Sequence, residues 1–143
     1  MRLDHAAIFV LIAGSYTPVC LSTLAEHGGP RLLATVWIGA ILGAVARVAW
    51  PGAPRWVYVP PYLVLGWAAV FHAPAILAVG GPLVAVLLFT GGGLYSLGAV
   101  VYAIRRPNPW PRSFGSHEIF HACTVAALVL HFLAVSIITR GVG

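Results

Sequence analysis

Residues 116–139 read SHEIFHACTVAALVLHFLAVSIIT. From Ile119 to Thr139 the stretch holds no Asp, Glu, Lys or Arg. At 1.5 Å of rise per residue this makes about 30 Å of helix, the thickness of a bilayer's hydrocarbon core. A run of such length and apolarity predicts a transmembrane helix, because inside lipid a helix satisfies its own backbone hydrogen bonds. Working back toward the N-terminus, four further segments of the same character cover about 4–24, 32–49, 56–79 and 82–104. The expected fold is therefore all-α: a polytopic transmembrane helix bundle of five spans, forming one domain over residues 1–143.

Composition supports lipid as the solvent. The chain is 60% hydrophobic and 8% charged, whereas a soluble domain carries about 25% charged residues. The basic residues are all arginine, and the acids are Asp4, Glu26 and Glu118. A net charge of +5 does not point to nucleic acid, since no basic stretch is long or solvated enough. The opening MRLDH breaks the pattern of a secretory signal. Cys20 and Cys123 make no disulfide framework, and the predicted topology sets them toward opposite leaflets.

Punctuation lies at Pro18, where the first span is expected to kink or unwind locally, at Pro60-Pro61 and Pro74, expected to break the third span, and at Gly91-Gly92-Gly93. The glycines lack side chains, so a neighbouring helix can approach closely there. Trp50 with Trp56, and Tyr102 with Trp110, fit an interfacial aromatic belt. Arginine placement sets the orientation. With a cytoplasmic N-terminus the inner side holds Arg2, Arg47, Arg55, Arg105, Arg106 and Arg112, against Arg31 and Arg140 outside. By the positive-inside rule the N-terminus is cytoplasmic and the C-terminus outside.

Ionisable side chains inside a span are costly and mark function. His117 and His121 are four apart, so on a helix they share one face, with Cβ atoms about 5–6 Å apart. Two imidazoles so placed suit one metal ion, most often zinc. The same residues also spell H-E-x-x-H, the zinc-protease pattern in which Glu118 would be the base. Ser116 is the expected N-cap of the helix. Asp4 and His5 enter the first span from the same side, so either can complete a site or, in the case of Asp4, hold and deprotonate a water. His131 lies ten residues beyond His121, about 15 Å along the axis, too far to join. His27 and His72 belong to the outer half. These three read as hydrogen-bonded or interfacial histidines. Paired haems would need a matching histidine pair on another helix, and none is present.

Three blocks then carry a family resemblance. RLDHAAIFVLIAGSYTP (residues 2–18) resembles the third transmembrane helix of hemolysin III family membrane proteins. GGGLYSLGAVVYAIRRPNPWP (91–111) and SHEIFHACTVAALVLHF (116–132) resemble that family's last two helices and their connection. The likeness runs from residue 2 to about residue 136, in the right order. The family is similar to the progestin and adipoQ receptors, adiponectin receptors among them, and more distantly to alkaline ceramidases. It implies seven helices in a full-length bundle, a bacterial-type plasma membrane, and Zn(2+) near the inner leaflet. By this resemblance the zinc ligands of the last helix map onto His117 and His121, and the acid beside a zinc-held water maps onto Asp4. The family's remaining histidine, with a nearby serine, belongs before the RLDH block. The sequence starts at that block, so the resemblance predicts that the first two helices and one zinc ligand are lacking, as in a truncated gene product.

The function expected from this resemblance is a hemolysin III-like integral membrane protein with an inner-leaflet zinc site. It would act as a zinc-dependent, ceramidase-like lipid amide hydrolase or in membrane-lipid homeostasis. The alternative is a non-enzymatic receptor-like or pore-forming, cytolytic protein. An intramembrane protease is disfavoured, because the related receptors tolerate Gln where this chain has Glu118. The partners expected are membrane lipids, including a lipid substrate, and no nucleic acid.

Overall fold

The computed structural model describes residues 2–50, 52–107 and 115–141, apart from the side chains of residues 2–6 and 55–56. The described residues are almost wholly helical, with no strand among them. Helix α1 spans Arg2–Leu21, α2 Gly29–Ala49 and α3 Arg55–Trp67. An irregular stretch follows: a 3-10 turn at Ala68–His72, the short α4 at Ala73–Ala75 and a π turn at Ile76–Gly80. Helices α5 (Gly81–Ile104) and α6 (Ser116–Gly141) complete the bundle.

The helices pack as two antiparallel pairs. In the first, Thr17 of α1 accepts a hydrogen bond of 3.2 Å from the Trp37 indole of α2. Toward one end of the pair Gly43 lies against the Phe9 ring, and toward the other Gly29 lies against the backbone of Cys20 and Leu24. A methyl group at either glycine would overlap α1, so glycine is what permits this closeness. In the second pair Gly98 of α5 meets Phe120 and Cys123 of α6, and Gly91 meets Ala127 and His131. Of the three consecutive glycines, Gly91 alone fulfils the expected close packing; a Cβ on Gly92 or Gly93 would meet nothing within 4 Å.

Helix α3 ties the pairs together. Its Tyr62 ring lies 4.4 Å from that of Phe9, and its Trp67 indole donates to Ser96 Oγ on α5 at 2.7 Å. Trp67 and Ser96 are nearly equidistant in sequence from Gly81, whose φ of +79° is open to glycine but strained for other residues. The chain therefore turns back on itself at Gly81, and α5 runs antiparallel to α3.

Among the described residues, three stretches are long and apolar enough to cross a membrane: Gly29–Ala49, the 48-residue helical run Val57–Ile104, and Ser116–Gly141. The described apolar part of α1, Ala7–Leu21, is shorter. The third and fourth expected spans thus form one helical run, doubled back at Gly81. Large apolar side chains such as Leu42, Val64, Phe71 and Phe132 point outward, a surface that suits lipid. The Trp56 side chain of the expected aromatic belt is not among those described, and Trp110 and Arg112 lie outside the described residues.

The expected break at Pro74 is present, whereas helix α1 continues through Pro18 to Leu21 and α3 through Pro60 and Pro61 to Trp67. The break comes at residues 68–80. There Pro74 has no N–H for the Val70 carbonyl, which accepts instead from Ala73 in a tighter turn. One turn earlier the Tyr16 hydroxyl of α1 enters the α3 ladder. It accepts the Ala69 N–H at 3.0 Å and faces the carbonyls of Leu65 at 2.9 Å and Gly66 at 2.8 Å. In an unbroken α-helix that N–H would bond to Leu65 itself. A side chain inserted in this way ends regular α-helix.

Candidate metal centre

Helix α6 begins with a cluster of ionisable groups, His117, Glu118 and His121, and its first turn determines how they point. The Gly115 N–H donates to Glu118 Oε2 at 2.8 Å, and the Gly115 carbonyl accepts from Ile119 at 3.1 Å. This is the backward-reaching half of a capping box, so Gly115 holds the cap position that the sequence assigns to Ser116. Glu118 is thereby committed to the helix start.

His117 and His121 stand one turn apart and both are exposed. Their Nε2 atoms approach to 3.1 Å, with ring centroids 4.5 Å apart and ring planes at 89°. Two nitrogens bound to one tetrahedral zinc at about 2.0–2.1 Å would sit about 3.3–3.4 Å from each other. The pair therefore already holds close to one edge of such a coordination shell, and the donor chemistry fits the metal. Tyr102 of α5 backs His117 at 6.0 Å between ring centroids, and Phe120 lies 5.3 Å from both Tyr102 and His121. Among the described residues no group of three or more His, Cys, Asp or Glu could hold a metal ion. The side chains of Asp4 and His5 lie outside the described residues. Their backbone belongs to the first turn of α1. Ile8, one turn further on, lines the same cavity as Phe120 and Thr124 of α6, so α1 and α6 start at the same end of the bundle.

The remaining histidines stay apart from this pair. His131 is half-buried, with Nε2 3.1 Å from the Leu88 carbonyl and its ring 5.6 Å from that of Tyr95. His27 is exposed in the turn between α1 and α2, and His72 abuts Gly28 at the bundle's other end. Cys20 and Cys123 are free thiols.

What the sequence reading missed is a mainly apolar interior pocket with several hydroxyl-bearing side chains on its wall. The pocket, open at its mouth, lies between α1, α3, α5 and α6. Ser15, Tyr16, Trp67, Tyr95, Ser96, Thr124 and His131 all reach its wall. The Tyr95 hydroxyl is buried and has no hydrogen-bond partner among the described residues. The signal was present in Ser15-Tyr16-Thr17 and Tyr95-Ser96, hydroxyl-bearing residues set mid-span where lipid gives them no partner.

A sequence model of proteins described as haemolysin-III related matches residues 1–132. The chain is 33% identical over 135 residues to the Hemolysin-3 homolog of Bacillus subtilis (strain 168), covering 93% of this chain and 60% of that protein. It is 31% identical to Hemolysin-3 of Bacillus cereus over 135 residues, 93% of this chain and 58% of the relative. Over 152 residues it is 30% identical to the adiponectin receptor protein of Drosophila melanogaster, covering 94% of this chain and 34% of the receptor. The chain thus spans about 60% of the two Bacillus proteins' length. No solved structure matches it.

Proposed function

This chain belongs to the haemolysin-III related family, and we propose that it carries a zinc ion on His117 and His121 at the cytoplasmic head of a five-span bundle. The observation that carries the reading is the 3.1 Å approach of the two Nε2 atoms, close to the edge of a tetrahedral zinc shell. Five crossings follow if α1 spans with its polar first turn included and if the run from Val57 to Ile104 crosses twice about Gly81. A straight helix of its 48 residues would reach about 70 Å, over twice the hydrocarbon thickness. The arginine distribution supports a cytoplasmic N-terminus and an outer C-terminus.

Bound there, zinc would supply Lewis acidity and a water of lowered pKa. His117 and His121 hold the ion, Tyr102 and Phe120 support the imidazoles, and Asp4 orients and deprotonates the attacking water. The substrate class that this arrangement suits is an amide of a membrane lipid such as a ceramide, presented at the inner leaflet. Glu118 is given no step in this reading; its Oε2 accepts the Gly115 N–H at the helix start.

Metal analysis of the protein purified without chelator tests the reading. Zinc is expected in the wild-type chain and absent from the His117→Ala/His121→Ala variant; equal, negligible zinc in both would defeat it. A second, non-enzymatic reading as a pore-forming protein draws on the name of the Bacillus cereus relative, Hemolysin-3. Liposome leakage undiminished by the double substitution would favour it.

A further inference from the structure

The Tyr16 hydroxyl stands inside a single backbone bond of the run that continues α3. The Ala68 N–H bonds to the Leu65 carbonyl in a tightened turn. The next pair along is the Ala69 N–H and the Gly66 carbonyl, which bond directly in a continued 3-10 turn. The Tyr16 oxygen separates them, accepting from Ala69 at 3.0 Å and donating its one proton to Gly66 at 2.8 Å. When the hydroxyl withdraws, a small movement lets the two backbone groups close on each other, so release leaves neither without a partner. One turn with two hydrogen-bonded arrangements is a two-state element.

The segment beyond this bond is lightly held. Of residues 68–80 only Ile76 is buried, whereas Phe71 is exposed at 87%. Few buried apolar contacts place a segment at the low end of local stability. It joins a tight 3-10 turn, Ala68–His72, to a wide π turn, Ile76–Gly80, and such irregularities inside helical runs mark hinges. Both its ends are anchored, Trp67 by its bond to Ser96 on α5 and Gly81 by the chain reversal at φ +79°. The hydrogen bonds described between this run and α1 are those of Tyr16.

The same residues wall a pocket. Ala69 and Val70 stand on one side of it, with Val19 of α1, Phe89 of α5 and His131 of α6 on the others. Tyr16 and Gly66 line it at the seam between α1 and α3. We propose that residues 68–80 are a gate over this pocket, latched to α1 by the Tyr16 hydroxyl. Latched, Ala69 and Val70 are held at α1 and that seam is shut. Released, the turn closes its own bond from Ala69 to Gly66, the segment pivots about Trp67 and Gly81, and the seam opens to the bilayer. The device governs entry to the interior and stands apart from the zinc reading.

Thiol labelling of the full chain in lipid nanodiscs tests the gate. In a background of Cys20→Ala and Cys123→Ala, Val19→Cys places a thiol on the pocket wall, at a position 5% exposed. Val36→Cys places one in the core on α2, at a position 0% exposed. The probe is N-ethylmaleimide, which enters membranes. Tyr16→Phe, which removes the hydroxyl and keeps the ring, should speed labelling of Val19→Cys at least tenfold and leave Val36→Cys unchanged. Deuterium exchange should rise over residues 68–73 and not in α2. Equal acceleration at both thiols would mean general loosening and overturn the gate, as would no acceleration at Val19→Cys. Should Tyr16→Phe not yield folded protein, the parent chain carries the test. Its Ala69 amide, though hydrogen-bonded, should exchange at least tenfold faster than that of Ala40, which lies buried in α2. Equal protection of the two amides would overturn the gate.

Discussion

Helix α6 carries histidines in two settings only three turns apart. At its head His117 and His121 face outward and touch each other at 3.1 Å. Further along, His131 is turned into the bundle, hydrogen-bonded to the Leu88 carbonyl and packed against Gly91 and Tyr95. The residue type is the same, and the difference lies in what each ring's nitrogens already do. His131 Nε2 is engaged with a carbonyl of the neighbouring helix and has become part of the packing between α5 and α6. Among the described residues the two head histidines hydrogen-bond to each other and to no carbonyl of a neighbouring helix.

The sharpest way to break this contrast is to remove each kind in turn. His117→Ala/His121→Ala should lower zinc affinity by at least ~100-fold, since even partners of zinc ligands are worth 10–100-fold. Thermal unfolding of the metal-free protein should barely change. His131→Ala should do the reverse: zinc binding stays, while stability falls by about 1–3 kcal/mol because the half-buried ring's hydrogen bond to the Leu88 carbonyl and its packing against Gly91 and Tyr95 are lost. Loss of zinc affinity in His131→Ala comparable to that of the double variant would erase the distinction.

The packing side can be probed from the facing helix. A Cβ on Gly91 would come within 2.5 Å of His131 Cδ2 and 2.6 Å of Nε2. Gly91→Ala should therefore displace the ring and cost about 1–3 kcal/mol. Combined with His131→Ala the penalty should be less than additive, because the smaller side chain gives the methyl group room. Strict additivity in unfolding experiments would show that the two residues do not meet.

How much of this could be read from the sequence differs between the two settings. The all-helical membrane fold follows from 60% hydrophobic and 8% charged residues. The head pair follows from a spacing of four, a local property of any helix. The interior depends on which helices become neighbours. Pro60 and Pro61 are the strongest local breakers in the chain, yet α3 passes through them and ends at Trp67. It ends where Tyr16, 53 positions from Ala69, takes that residue's amide, and no local pattern encodes such a contact. Tyr16→Phe tests it. Loss of the hydroxyl should destabilise the bundle by about 1–2 kcal/mol, within the range for buried backbone groups left without partners. An unchanged midpoint of thermal unfolding would mean that the helix break does not depend on Tyr16.

The smallest expected effect belongs to the residue that the H-E-x-x-H pattern ranks highest. Glu118 lies between the two histidines in sequence, but its Oε2 accepts the Gly115 N–H at 2.8 Å. Gln carries a carbonyl oxygen in nearly the same place, and Gln serves as well as Glu at this position of a capping box. Glu118→Gln should then keep zinc content at the wild-type level and barely change stability, losing only one carboxylate near a helix N-terminus. Glu118→Ala, which also deletes the acceptor, should lower the unfolding midpoint more than Glu118→Gln does, with zinc still bound. If Glu118→Gln instead abolished an amide-cleaving activity while zinc stayed in place, the carboxylate would be the base after all. Asp4 would then lose its proposed role, and the head of α6 would be a protease-type site.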